Sequence, residues 1–113
     1  MHDDAPDLQF RRLTVATING APVTLYECSC KGMGAPWVDI AQLGRALAGP
    51  SGAHQALRIA REYPDSGAAP TLAVANKIVT IGTYWLADEV IRLMGPEHAK
   101  HMVAAVKPYL NAS

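Results

Sequence analysis

The sequence predicts an α+β domain in which antiparallel hairpins are joined to about four helices, including a helix-turn-helix-like pair. Strand-forming, β-branched stretches flank Asn19-Gly20 and recur on either side of Asn76-Lys77. Helical periodicity closes at Gly49-Pro50 and again at Gly95-Pro96, where a Gly ends one helix and a Pro resists its continuation. No strand-helix-strand alternation calls for a parallel sheet.

In order along the chain, residues 1–9 have neither hydrophobic period nor strand-forming composition, and they are expected to be a frayed tail. A single domain is expected over 10–113. Phe10 to Ile18 reads as a strand, Asn19-Gly20 as a two-residue turn, and Val23 to Cys28 as the antiparallel return. Pro36 to Val38 supplies a short third strand.

Asp39 then stands at a helix cap with Gln42 three residues on, the spacing of a capping box. Ile40, Leu43 and Leu47 give that helix its apolar face. Ser51 is placed to cap a second helix running to about Tyr63. Leu72 to Ala75 and Ile78 to Ile81 form a second hairpin tipped by Asn76-Lys77. Thr83 caps a helix through Met94 with Ala87, Val90, Ile91 and Met94 at buried spacing. In the last helix Ala99, Met102, Val103 and Val106 form the apolar stripe, and Lys107-Pro108 is expected to end or bend it.

Half of the 113 residues are apolar, which is enough for one buried core and too little chain for a second domain. Ten Lys and Arg against ten Asp and Glu give zero formal charge, so a nucleic-acid partner has to be met by a local patch. The acidic start MHDDAPD lacks the features of a secretory signal, and no apolar run has membrane-spanning length. A cytoplasmic protein without a membrane partner is expected. Cys28 and Cys30, two apart on a strand, favour reduced thiols over a strained small ring.

The stretch from Pro36 to Glu62 carries the functional reading. In its second helix His54, Arg58 and Arg61 fall at i, i+4 and i+7, opposite a face of Ala53, Ala56, Leu57 and Ala60. Such a helix meets a core on one side and phosphates on the other. Arg58 and Arg61 are expected to neutralise phosphates, His54 and Gln55 to reach base edges near the helix start, and Arg45 to assist from the preceding helix. Arg11 on the first strand and Lys77 on the later hairpin are expected to extend the surface if the fold gathers them. The competing account treats these residues as solvated helix faces and as charges that keep strand edges from aggregating.

The order of elements resembles the amino-terminal domain of the BRO family, found in phage antirepressors and in regulators of large DNA viruses and prophages. Trp37, Val38, Asp39, Ile40, Ala41 and Leu47 occupy places comparable to the family's segment after its strand hairpin, and Arg58 falls in its following basic helix. Ile78 to Ile81, TYWLADEVIRLM and PEHAKHMVAAVKPYL are similar to its later strand and closing helices, with Pro96, Glu97, Ala99, Lys100 and Pro108 matching best. Arg92 is the nearest counterpart of an arginine in the family's penultimate helix. The resemblance implies a regulatory domain that binds DNA or another regulator and catalyses no reaction.

Other chemistries are less well supplied. Cys28 and Cys30 with His98 and His101 form a C-x-C and H-x-x-H set whose spacing is poor for tetrahedral zinc, so no metal and no cofactor are expected. No nucleophile elbow, P-loop or dinucleotide fingerprint is present, and the adjacent Asp88 and Glu89 point to different sides of a helix. Tyr84 and Trp85, neighbours on a helix, cannot both face the core, which favours a protein partner or a homo-oligomer as the alternative to DNA.

Overall fold

A computed structural model describes residues 10–28, 36–62, 71–74 and 77–110. The order is β1 (Phe10–Ile18), β2 (Ala21–Cys28), β3 (Trp37–Asp39), α1 (Ile40–Ala48), α2 (Gly52–Glu62), β4 (Thr71–Val74), β5 (Lys77–Gly82), α3 (Tyr84–Met94), a 3-10 turn (Pro96–His98) and α4 (Ala99–Leu110). The expected α+β architecture is present. The expected tail at 1–9 lies outside the described residues.

The strands form one five-stranded sheet in the order β1-β2-β3-β5-β4, with every neighbouring pair antiparallel. Asn19 at φ 53° and Gly20 at φ 78° turn β1 into β2 through the two left-handed residues that a type I′ turn needs. The later hairpin pairs Val74 with Lys77, so Lys77, expected at its tip, is instead the first residue of β5, while Ala75 and Asn76 lie outside the described residues.

Strand alternation gives the sheet two unlike faces. Ile18, Val23, Leu25 and Val38 meet Ile40, Leu43, Ala56, Ile59, Leu86, Val90, Ile91, Met102 and Val106 in the principal core, all buried. Tyr26, Trp37 and Ile81 form a smaller buried cluster with the opposite alternation. Two hydrogen bonds hold α1 to the β1–β2 hairpin. Gln42 Oε1 accepts from the Thr24 N–H at 2.7 Å just where β3 ends, and Asn19 Nδ2 donates to the Ala46 carbonyl at 2.9 Å in the last turn of α1.

The caps expected at Asp39 and Thr83 are formed, with one correction. Asp39 Oδ1 accepts from the Gln42 N–H at 3.0 Å and Thr83 Oγ1 from the Leu86 N–H at 3.2 Å. The capping box at Asp39 is half made, because the Gln42 side chain serves β2 instead of returning to Asp39. Two further corrections fall in α4. Val103 is 45% exposed rather than part of the buried stripe, and the helix runs through Pro108 to Leu110. Met102 and Val106, four apart, already satisfy the core, and a Pro in the last turn removes only one terminal hydrogen bond. The proposed end of α2 at Tyr63 lies outside the described residues.

Candidate nucleic-acid interface

The helical pair α1–α2 is built on small residues at four-residue spacing: Gly44 and Ala48 on one helix, Gly52 and Ala56 on the other. A Cβ at Gly44 would stand 2.2 Å from the Gly52 carbonyl oxygen and 2.6 Å from Ala56 Cβ; one at Gly52 would stand 2.1 Å from the Gly44 carbonyl oxygen. The backbones therefore touch. Gly49, at φ 80° and ψ −168°, occupies backbone space essentially reserved for glycine and turns the chain between the helices.

This close seam fixes the orientation of α2. Ala53, Ala56, Ile59 and Ala60 are buried, while His54, Gln55, Arg58, Arg61 and Glu62 are exposed. Arg45 is exposed in the last turn of α1. Among the described residues neither Arg58 nor Arg61 has a carboxylate at salt-bridge distance. The helix macrodipole gives Arg45 and Arg61 a structural reason of their own, since each lies in a last turn where a cation is favoured. Arg58, in mid-helix, has no such reason and is the residue most particular to a ligand.

Arg11 and Lys77 belong to the sheet and not to the helical pair. Their backbones lie in β1 and β5, three strand intervals or about 14 Å from each other across the sheet, whereas α2 packs on α1 and α3. The side chains of both lie outside the described residues.

Two titratable groups lie close together on the sheet: Asp39, expected from the sequence only as a helix cap, and Tyr26. Burial pushes the Asp39 carboxyl above its usual value against the opposing pull of its cap hydrogen bonds and of Arg45. Burial likewise raises Tyr26, reinforced by the Asp39 charge and opposed by Arg12. With the folded value above the unfolded one, the protonated acid is favoured by folding: that stabilisation is present below the ordinary carboxyl value and is lost as pH rises through the elevated one. Asn caps a helix as well as Asp does. Asp39→Asn is therefore expected to raise stability at neutral pH and to flatten its dependence across the acid range, whereas Asp39→Ala should cost about 1 kcal/mol of cap. Urea unfolding at a series of pH values checks both.

The remaining candidates resolve simply. His98 and His101 lie on one turn with their Nδ1 atoms 3.4 Å apart, and His98 Nε2 is 3.6 Å from Glu97. No cluster of three or more metal-ligating side chains occurs among the described residues, and Cys30 and the Cys28 side chain lie outside them. Glu89 pairs with Arg92 at 3.0 Å. Trp37 is buried, while Trp85 is 67% exposed with its ring edge to Tyr84 at 6.4 Å between centroids. No described helix is long and apolar enough to cross a membrane.

These features define a small α+β domain that sets a helix-turn-helix-like pair on an antiparallel sheet. No family model, curated protein or solved structure matches the chain.

Proposed function

We propose that the chain is a DNA-binding regulatory domain of phage or prophage type, with α2 as the contacting helix. The observation that carries this reading is the exposed His54, Gln55, Arg58 and Arg61 face on a helix whose other side is locked to α1 by backbone contact. Rigid presentation matters because ordering a long cationic side chain on a mobile support costs more than on a fixed one. Arg58 and Arg61 hold phosphates, Arg45 adds a third cation, and His54 and Gln55, in the first turns, reach base edges. Arg11 and Lys77 take no part in this central contact. The resemblance to the BRO family amino-terminal domain supports the same reading, and no reaction or cofactor is part of it.

The test is DNA affinity by fluorescence anisotropy over a series of salt concentrations. Arg58→Ala with Arg61→Ala should leave the fold intact, lower affinity at low salt at least about tenfold, and reduce the slope of log affinity against log salt by about 2. Unchanged affinity and slope would remove α2 from the interface. Salt-insensitive behaviour would favour the alternative, an interaction module working through exposed Trp85 and Leu93 on α3.

A further inference from the structure

The Pro96–His98 turn joins α3 to α4 and packs on both. Local bonds place its last residue: the His98 N–H donates to the Gly95 carbonyl at 2.9 Å, and Pro96 fixes the backbone where the turn begins. The His98 ring lies close to Gly95, where a Cβ would come within 3.3 Å of His98 Cδ2. Only 14% of the His98 side chain is exposed. Three residues on, exposed His101 turns its Nδ1 back toward the Nδ1 of His98.

The two Nδ1 atoms are 3.4 Å apart while the ring centroids are 5.5 Å apart, so both Nδ1 corners point inward. That separation is long for an N–H hydrogen bond. It matches the bite of a shared ion instead. Two nitrogens each about 2.0–2.1 Å from a tetrahedral zinc stand about 3.3–3.4 Å apart, whereas a square-planar ion would draw them to about 2.9 Å. Glu97 supports the pair from behind. Its Oε2 lies 3.6 Å from His98 Nε2, which favours a proton on Nε2 and leaves the Nδ1 lone pair for a metal. Its charge also offsets the positive end of the α4 dipole, which alone would oppose a cation.

We propose that His98 and His101 chelate a zinc ion through their Nδ1 atoms, with water in the two remaining tetrahedral positions. The histidines form this pair without help from Cys28 and Cys30, whose spacing counted against a zinc site of four protein ligands. The ion clips the Pro96–His98 turn to the first turn of α4 and so fixes the corner between α3 and α4. Neutral imidazoles suit zinc, and the 3.4 Å separation selects it over copper(II) or nickel(II) in square-planar form. This inference does not rest on the α2 reading.

The experiment titrates the whole chain with zinc chloride, following the imidazole nitrogens by NMR and measuring affinity by competition with a chromophoric chelator. The Nδ1 resonances of His98 and His101 should move together while those of His54 stay in place. Saturating zinc should raise Tm by about 5 °C or more, because the turn that pairs the two rings is not held in the unfolded chain. His101→Ala, at an exposed position, and His98→Ala should each weaken binding at least about tenfold, since one imidazole cannot chelate. Glu97→Gln should weaken it by a smaller factor and leave the ligating nitrogens unchanged. Cobalt(II) in place of zinc should give the intense visible absorption of a tetrahedral site. No zinc uptake, equal uptake by His101→Ala, or coordination through Nε2 would each overturn the proposal. So would loss of the ion on Cys28→Ser with Cys30→Ser, or the faint cobalt spectrum of a six-coordinate ion. DNA binding at α2 is read separately through Arg58→Ala, so failure here leaves that result standing.

Discussion

Gly44→Ala should destabilise the domain by about 3 kcal/mol, and Gly52→Ala by a similar amount, despite the roughly 1 kcal/mol of helix propensity that alanine brings in a helix interior. The added methyl meets backbone: 2.2 Å from one carbonyl oxygen at Gly44 and 2.1 Å from the reciprocal one at Gly52. No rotamer change relieves such a contact. The two helices must separate, and Ala56 and Ile59 then lose their buried packing. Gly95→Ala is the internal comparison, since its Cβ would meet only side-chain atoms, Leu47 Cδ2 at 3.2 Å and His98 Cδ2 at 3.3 Å. It should cost about 1 kcal/mol or less. Thermal unfolding discriminates the cases, the first two lowering Tm by about 10 °C or more. A Gly44→Ala protein as stable as the parent would mean that α1 and α2 do not approach this closely.

Leu86→Ala should cost about 3 kcal/mol, because Leu86 is fully buried between α3 and the sheet. Its loss is coupled to Gly82 on β5. A Cβ at Gly82 would stand 2.7 Å from Leu86 Cδ2 and 3.0 Å from Ile40 Cδ1, so Gly82→Ala overpacks the same volume that Leu86→Ala empties. The combined variant should therefore be less destabilised than the sum of the singles by about 1 kcal/mol, which a double-mutant cycle in urea measures. Strict additivity would place the two residues out of contact. The Thr83 cap bonds the Leu86 backbone N–H and is untouched by the exchange of side chains.

Much of the fold is local chemistry and therefore legible in the sequence. Asn19-Gly20, Asp39, Thr83 and the Gly49-Pro50 and Gly95-Pro96 breaks each act through their own backbone or the next turn. What depends on distant partners is not legible in that way. The pairing of three-residue β3 with β5, which joins the hairpins into one sheet, leaves no short-range signal. Val103 fits the helical period but faces solvent because Met102 and Val106 fill the space above β1. The Gly82–Leu86–Ile40 contact is likewise visible only once the elements are packed.

The candidate site divides along the same line. The basic and apolar faces of α2 follow from helical period, and the burial of Ala53, Ala56 and Ala60 agrees with it. The seam beneath them carries a sequence signal of its own: small residues at 44, 48, 52 and 56, continuing at one interval across a helix break. Whether Arg11 and Lys77 adjoin α2 depends on strand order, which the sequence does not carry.

Gln42 grips the sheet from the first turn of α1, and Asn19 grips α1 from its last. Pinned fore and aft, that helix can neither slide along its axis nor roll without breaking a bond at one end. It is a fixed anvil for whatever leans on α2, and a load applied there is delivered to the β1–β2 hairpin rather than absorbed on the way.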